Sequence, residues 1–464
     1  MFCDTTGTGL DPQTLCSKRS YLVIEMLRSS VVDSGQRFLK HGRRYMKSGK
    51  RKLIKVGVIG IGRGQNFAKA ADEVTGMQLV ALCDKWKEKL TETGKKFGVK
   101  TYTDYDKFLE HDMDAVILAN YFHQHTPFAI KALRAGKHVM SECASNTTLA
   151  EGVALCREVE KSGLIYMLAE NYCYTRFNME MRELYRAGEI GRVLYADGEY
   201  GHPMSPRDKC AISPGVNHWR NWCPTTYYCT HALAPLMYIT DEMPVKVNAL
   251  SVVADEIREH TARVADTGSI IFCRTTGGAV FRLFQVGFPG HSCWYRLHGT
   301  RGAMETTRGG FGYFGPEQIR IWHEKWDIKP DELRERTYAP NWPRHADLAN
   351  RAGHGGGDFW TNFEFAEAIR SRRQPYLDVY RGVTMSSVGI LGWKSALEDG
   401  KPFDMPNFRS ERSRKAYEND NWSPWPEDAG PGQPPPSIRG FIKPSKKGLE
   451  FARKVWKEVG YKGK

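Results

Sequence analysis

One segment constrains this chain more than any other. Leu53-Ile54-Lys55-Val56-Gly57-Val58-Ile59 is a nearly continuous apolar run, and Gly60-Ile61-Gly62-Arg63-Gly64-Gln65 follows it directly. A run that is apolar on both faces suits a strand covered by helices on both sides. The glycines permit a tight turn into a helix, whose free N–H groups and dipole favour an anion. Asp84 lies 22 residues beyond Gly62, at the end of the next predicted strand. A carboxylate there accepts hydrogen bonds from ribose hydroxyls and repels a 2′-phosphate, so NAD is expected over NADP. The third glycine of GxGxxG falls at Gln65. The strand–turn–helix context therefore carries the reading, with Gly60, Gly62, Arg63 and Gly64 on the cofactor side.

The pattern that follows is strand–helix alternation. Strands are predicted at 77–83, 115–119, 138–141 and 165–169, and helices at 86–97, 127–135 and 149–161. Such alternation means βαβ units and a doubly wound parallel sheet. Asn120-Tyr121-Phe122-His123-Gln124-His125 follows a predicted strand and faces the crevice where such sheets bind ligands. Asn120 and His125 are expected to face the cofactor, with helix capping as the alternative for the histidines. After residue 176 the strands become longer and half-apolar, at 193–200, 245–254, 268–274, 279–286 and 294–298. Helices at 359–370 and 383–397 would return onto them. The fold class expected is α/β, a Rossmann domain followed by an α/β domain with an open, mostly antiparallel sheet. The expected segments are a poorly ordered basic extension (1–51), an NAD-binding domain (52–175), a substrate and oligomerisation domain (176–404) and a Pro/Gly-rich basic tail (405–464).

Charge distribution argues against a nucleic-acid partner. The chain carries a formal net charge of +14, but residues 1–55 hold +8, residues 401–464 hold +6, and the body between them is neutral. The basicity lies outside the predicted sheets. No uncharged apolar run reaches the ~18 residues needed to span a bilayer, so no membrane partner is expected. Arg43-Arg44 lacks the apolar stretch of an export signal. A cytoplasmic protein is expected, periplasmic if the natural start differs. Met46, just before the first strand, is the expected natural start. The 11 cysteines form no CxxC pair, which fits reduced, buried thiols and no metal site.

Five further blocks narrow the reading. Gly136-Lys137-His138-Val139-Met140-Ser141-Glu142 resembles the GKHVxxEKP element of the Gfo/Idh/MocA oxidoreductases, whose lysine is the usual acid/base. Here Cys143 stands where that lysine would be. Glu170-Asn171-Tyr172-Cys173-Tyr174, Asn217-His218-Trp219-Arg220, Tyr228-Cys229-Thr230-His231 and Gly353-His354-Gly355-Gly356-Gly357-Asp358 occur in order. Together they resemble glycoside hydrolase family 109, NAD-dependent glycosidases that also lack the lysine. The resemblance covers about residues 53–408.

The resemblance implies a redox-neutral route. The C3 hydroxyl of the sugar is oxidised, the C2 proton is removed, the aglycone is eliminated, and water adds before the ketone is reduced. His231 is expected to take the C3-hydroxyl proton, with Tyr228 assisting, because imidazole titrates near neutrality. Tyr174 is the expected base at C2. Glu142, Asn171, Trp219 and Arg220 are expected at the cofactor or sugar, and His354 and Asp358 at the substrate. The partner is then a small glycoside, and an open sheet face makes a homo-oligomer, dimer or tetramer, plausible. The alternative is a sugar or glycoside oxidoreductase with net turnover, with His231 replacing the lost lysine.

Overall fold

The computed structural model describes residues 53–72, 74–290, 293–308 and 316–463. The expected extension 1–51 and the expected start at Met46 lie outside them. Residues from Lys52 onward form one compact unit.

Six parallel strands make the first sheet. They are β1 (Ile54–Ile59), β2 (Met77–Cys83), β3 (Lys100–Tyr102), β4 (Ala115–Leu118), β5 (His138–Ser141) and β6 (Tyr166–Leu168). Their order is β3-β2-β1-β4-β5-β6, so the strand order reverses between β1 and β4. Val56, Val58, Val116 and Ile117 are wholly buried, as a strand covered on both faces must be. The intervening helices are delimited by local chemistry. Thr148 and Glu151 form a reciprocal capping box at the start of Leu149–Ser162, and Gly163 ends that helix in the left-handed region. Short β3 and the helix Tyr105–Leu109 add to the expected pattern.

The second sheet has nine strands. They are β7 (Val193–Gly201), β8 (Pro244–Val252), β9 (Gly268–Thr275), β10 (Val280–Val286), β11 (Cys293–Gly299), β12 (Gly302–Thr306), β13 (Ile319–His323), β14 (Glu335–Tyr338) and β15 (Phe403–Asp404). The order is β14-β13-β12-β11-β7-β10-β9-β8-β15, antiparallel throughout except between β7 and β10. Helix Thr230–Thr240, buried all round, lies on this sheet. A Cβ at Gly198 of β7 would stand 2.0 Å from the Ala232 carbonyl oxygen. Only glycine permits that approach, and it sets the height of His231 above the sheet. The Tyr295 hydroxyl fixes the same turn by donating to the His231 carbonyl at 2.8 Å.

One hydrophobic core runs through both sheets and reaches Trp425 in the tail. Trp425 packs its ring edge on Phe122 and Tyr227. The final helix, Lys446–Glu458, rests on Pro206–Ala211, where the Trp456 indole donates to the Cys210 carbonyl at 3.0 Å. The tail therefore buttresses the walls of the site. No helix among the described residues is long and apolar enough to cross a membrane.

Candidate active site

The C-terminal ends of five parallel strands carry polar or glycine residues. Gly60 follows β1, Asp84 follows β2, Asn120 lies just past β4, Glu142 follows β5 and Glu170 lies just past β6. This edge, at the reversal of strand order, is where open parallel sheets bind ligands. A cleft of about 340 Å³ opens beside it, lined by Arg63, Asn120, His125, Glu142, Asn171, Trp219, Arg220, Tyr228, His231 and His354 among others. Gly60, Gly62, Gly64 and Asp84 lie at the glycine turn, outside that lining.

The glycine turn is built for a ligand. A Cβ at Gly64 would stand 2.7 Å from Val58, so that glycine serves helix–strand packing. A Cβ at Gly62 would meet nothing within 4 Å, so the chain itself does not need the glycine there. Asp84 holds the turn by accepting from the Ile61 amide at 2.9 Å and the Trp86 amide at 2.8 Å. Each of its oxygens keeps a lone pair for a hydroxyl. Both polar atoms of the Asn120 side chain are buried in the cleft wall with no hydrogen-bond partner, as a site awaiting a polar ligand requires. These residues fit a dinucleotide.

Arg63 ties this side of the cleft together. Its Nε donates to Glu142 at 2.6 Å and its Nη1 and Nη2 donate to Asp358 at 3.0 and 2.6 Å. The fork geometry is the strong one for arginine and carboxylate. Burial opposes the Asp358 charge, but hydrogen bonds from His354 and Arg63 hold its carboxyl far below the usual range. Asn171 donates to the same carboxylate at 2.9 Å and His354 Nδ1 lies 3.0 Å from it. Asp358, expected to bind substrate, is absent from the cleft lining, and with Asn66 also donating at 3.4 Å its carboxylate is held by four side chains. It positions Arg63 and His354 instead. His125, expected to face the cofactor, has Nδ1 3.0 Å from the Ala144 carbonyl oxygen and Nε2 3.2 Å from that of Asn120. Burial favours the neutral ring, whose single N–H can donate to one of these two carbonyls, so His125 braces the loops while it lines the cleft.

His231 sits at the centre of the cleft. Its Nδ1 is 2.8 and 2.9 Å from the two oxygens of Glu170, which is fully buried. Burial disfavours the Glu170 charge, but the His231 imidazole and its hydrogen bonds hold the carboxyl below its ordinary value. With Nδ1–H donating to the carboxylate, Nε2 is the nitrogen left to accept a proton. Cys143 occupies the position of the missing lysine, and its thiol donates to Glu170 at 3.1 Å. Burial and the nearby carboxylates push that thiol well above its usual range, so it is no substitute base. Tyr228 meets His231 edge to face, with ring centres 5.3 Å apart. Burial pushes its hydroxyl up to about 12, against a downward pull from Arg220.

Tyr174 is not brought to the cleft. It is buried against Tyr238, ring centres 5.6 Å apart, and burial raises its hydroxyl well above the usual range. Its neighbour Tyr172 instead lies against His231, ring centres 4.3 Å apart and tilted by 30°. The two tyrosines share one 3₁₀ turn, Asn171–Tyr174, and leave it on different sides. Trp219 and Arg220 are brought to the cleft, the guanidinium lying 4.3 Å over the indole. Sequence reasoning missed Glu170 as a partner for His231, and missed Tyr172 beside it and the cleft-lining Tyr200 and His202. The Glu170 signal was a carboxylate just past a buried strand, inside a block that was itself noticed.

Comparisons agree with this geometry. Residues 54–170 match the model of the oxidoreductase family with NAD-binding Rossmann fold. Residues 178–305 match the Gfo/Idh/MocA C-terminal domain, and 268–415 match the glycosyl hydrolase 109 C-terminal domain. A glycosyl hydrolase family 109 protein of Solibacter usitatus (strain Ellin6076) is 25% identical over 393 residues, 76% of this chain and 88% of the relative. The alpha-N-acetylgalactosaminidase of Tannerella forsythia is 25% identical over 412 residues, 77% of this chain and 86% of that protein. Among solved structures, levoglucosan dehydrogenase in complex with NADH and levoglucosan aligns with a TM-score of 0.65 at 20% identity, covering 76% of this chain and 100% of that one. With these family models matched in turn between residues 54 and 415, the chain belongs to the Gfo/Idh/MocA family and within it resembles glycosyl hydrolase family 109.

Proposed function

We propose that the protein is an NAD-dependent glycosidase that works without net redox turnover. The observation that carries this reading is the buried Glu170–His231 pair, standing in the cleft where the oxidoreductase lysine is replaced by Cys143. NAD⁺, when bound, supplies reversible oxidation of a sugar hydroxyl to a ketone.

The chain's own residues supply the rest. His231 Nε2 takes the proton of the C3 hydroxyl, and Glu170 fixes the tautomer and stabilises the imidazolium that forms. The C3 ketone acidifies the C2 hydrogen. Tyr228, which lines the cleft and meets His231 edge to face, is assigned to receive that proton, and the nearby Arg220 charge offsets part of the burial that raises its hydroxyl. Loss of the C2 proton expels the aglycone from C1 as its oxyanion, which takes a proton from solvent; water then adds its hydroxide to C1, releasing a proton to solvent, while Tyr228 returns a proton to C2. His231 then returns its proton to the C3 oxygen. Arg63, locked on Glu142 and Asp358, holds the glycine turn against the cleft throughout. The relatives' names, including alpha-N-acetylgalactosaminidase, support a glycoside substrate.

The test is turnover of aryl glycosides by purified protein with no added NAD. Catalytic aglycone release is expected. Build-up of reduced cofactor in proportion to oxidised sugar, without aglycone release, would instead make the protein a sugar oxidoreductase.

A further inference from the structure

Where the second sheet walls the cleft, the chemistry changes. Lys209, Arg220, Arg258 and Arg263 all line this side, and Glu142 is the one acidic residue among the described lining residues. Glu142 is already taken by Arg63. Arg258 is balanced by Asp255 at 2.5 Å. The other three cations pair with no carboxylate among the described residues. Lys209 Nζ donates to the Gly287 carbonyl at 3.2 Å. The Arg263 guanidinium donates, among the described residues, only to backbone carbonyls, those of Arg220, Cys223, Ala265 and Asp266. Carbonyls satisfy its N–H groups without cancelling its charge. Arg220 lies over the Trp219 ring. The carboxylate felt by Arg263 is that of Asp266, which accepts from Ser251 and the Ile438 amide. Three cations thus face one carboxylate.

Such an excess in a partly dry cleft is costly unless an anion joins it. The wall also offers unused polar atoms. Gln285 Oε1 and Thr225 Oγ1 are buried there without a hydrogen-bond partner, in side chains that are 5% and 9% exposed. A sugar hydroxyl beside an anionic group would satisfy them.

We infer that Lys209, Arg220 and Arg263 form an anion subsite, so that the sugar accepted here carries a carboxylate, sulfate or phosphate substituent. This rests on the glycoside reading for the identity of the ligand, but its binding test stands apart from turnover. The cofactor's own phosphates belong to the glycine turn, on the other sheet.

Isothermal titration of the full chain with glucuronate, glucose 6-sulfate, glucose 6-phosphate and glucose decides it. At least one acid is expected to bind about tenfold or more tighter than glucose, the gain expected of one charge-assisted contact. That ratio is expected to shrink as salt rises. The acid that binds tightest names the substituent. Lys209→Met is expected to cut the ratio about tenfold and Lys209→Arg to keep it. Equal binding of glucose and all three acids, no binding of any, or an unchanged ratio in Lys209→Met would overturn the subsite. Acid binding with no aglycone release from the matching aryl glycosides leaves the subsite standing and removes the glycosidase reading. Release from neutral glycosides without acid preference does the reverse.

Discussion

The two walls of the cleft are charged in opposite styles. On the Rossmann side the charges that line the cleft are paired, with Arg63 clamped between Glu142 and Asp358. On the second-sheet side, Lys209 and Arg220 face the cleft without a carboxylate. A closed network holds a fixed shape, whereas an open one leaves charge for something that comes and goes. That contrast suits a resident dinucleotide on one side and an exchanging substrate on the other, with His231 between them.

The paired side breaks hardest. Arg63→Met leaves the buried Asp358 and the half-buried Glu142 without their cation, and is expected to lower stability by about 3–5 kcal/mol. A fall in melting temperature measures it, and an unchanged melting temperature would mean the clamp carries little. Between the walls, Glu170→Gln keeps the shape but loses the charge that fixes His231. It is expected to lower kcat about 10- to 100-fold with KM nearly unchanged. The same variant has a pH signature. The folded-state pKa of Glu170 is lowered, so its stabilising contribution is present above the unfolded value of about 4.3 and is lost as pH falls through the folded one. Glu170→Gln is therefore expected to flatten the acid limb of a stability–pH curve.

The open side is expected to respond to base. Burial, helped by Arg263 and opposed by Cys210, pushes Lys209 down to about 8. As pH rises through 8 its charge is lost, so preference for an acidic sugar is expected to fade several-fold, at most about tenfold, in titrations between pH 7 and pH 9. The smallest effect on the fold is expected at Gly62→Ala. The space over Gly62 is open, so stability is expected to change by less than about 1 kcal/mol, while NAD affinity falls because the added methyl occupies the dinucleotide's approach. Equilibrium dialysis with NAD beside a melting curve separates the two.

The sequence exposes the parallel sheet better than the site. Unbroken apolar runs such as Val56–Ile59 and Ala115–Leu118 mark buried strands, and the glycine turn and Asp84 mark their ends. β12 to β14 escape because they are short and interleaved with charge, as in Glu335–Tyr338. At the site, His231 and Tyr228 are legible as a spaced pair on one turn. Tyr172 and Tyr174 are not separable by spacing, because a 3₁₀ turn sends residues two apart to different sides. Asp358 looks like a ligand in sequence, and only the approach of Arg63 from 295 residues away makes it a positioning group. Such long-range pairing has no local signal. The cation excess is hidden too, since the body of the chain is neutral and Lys209, Arg220 and Arg263 meet only in the fold.

The central claim is that the glycosidic bond is cleaved by elimination after removal of the C2 proton. The most direct measurement is to hydrolyse an accepted aryl glycoside in D₂O and locate the label in the released sugar. One deuterium at C2 is the predicted result, because the proton leaves for Tyr228 and returns from solvent. A sugar released with its original hydrogen at C2 would contradict the account and point to direct displacement at C1.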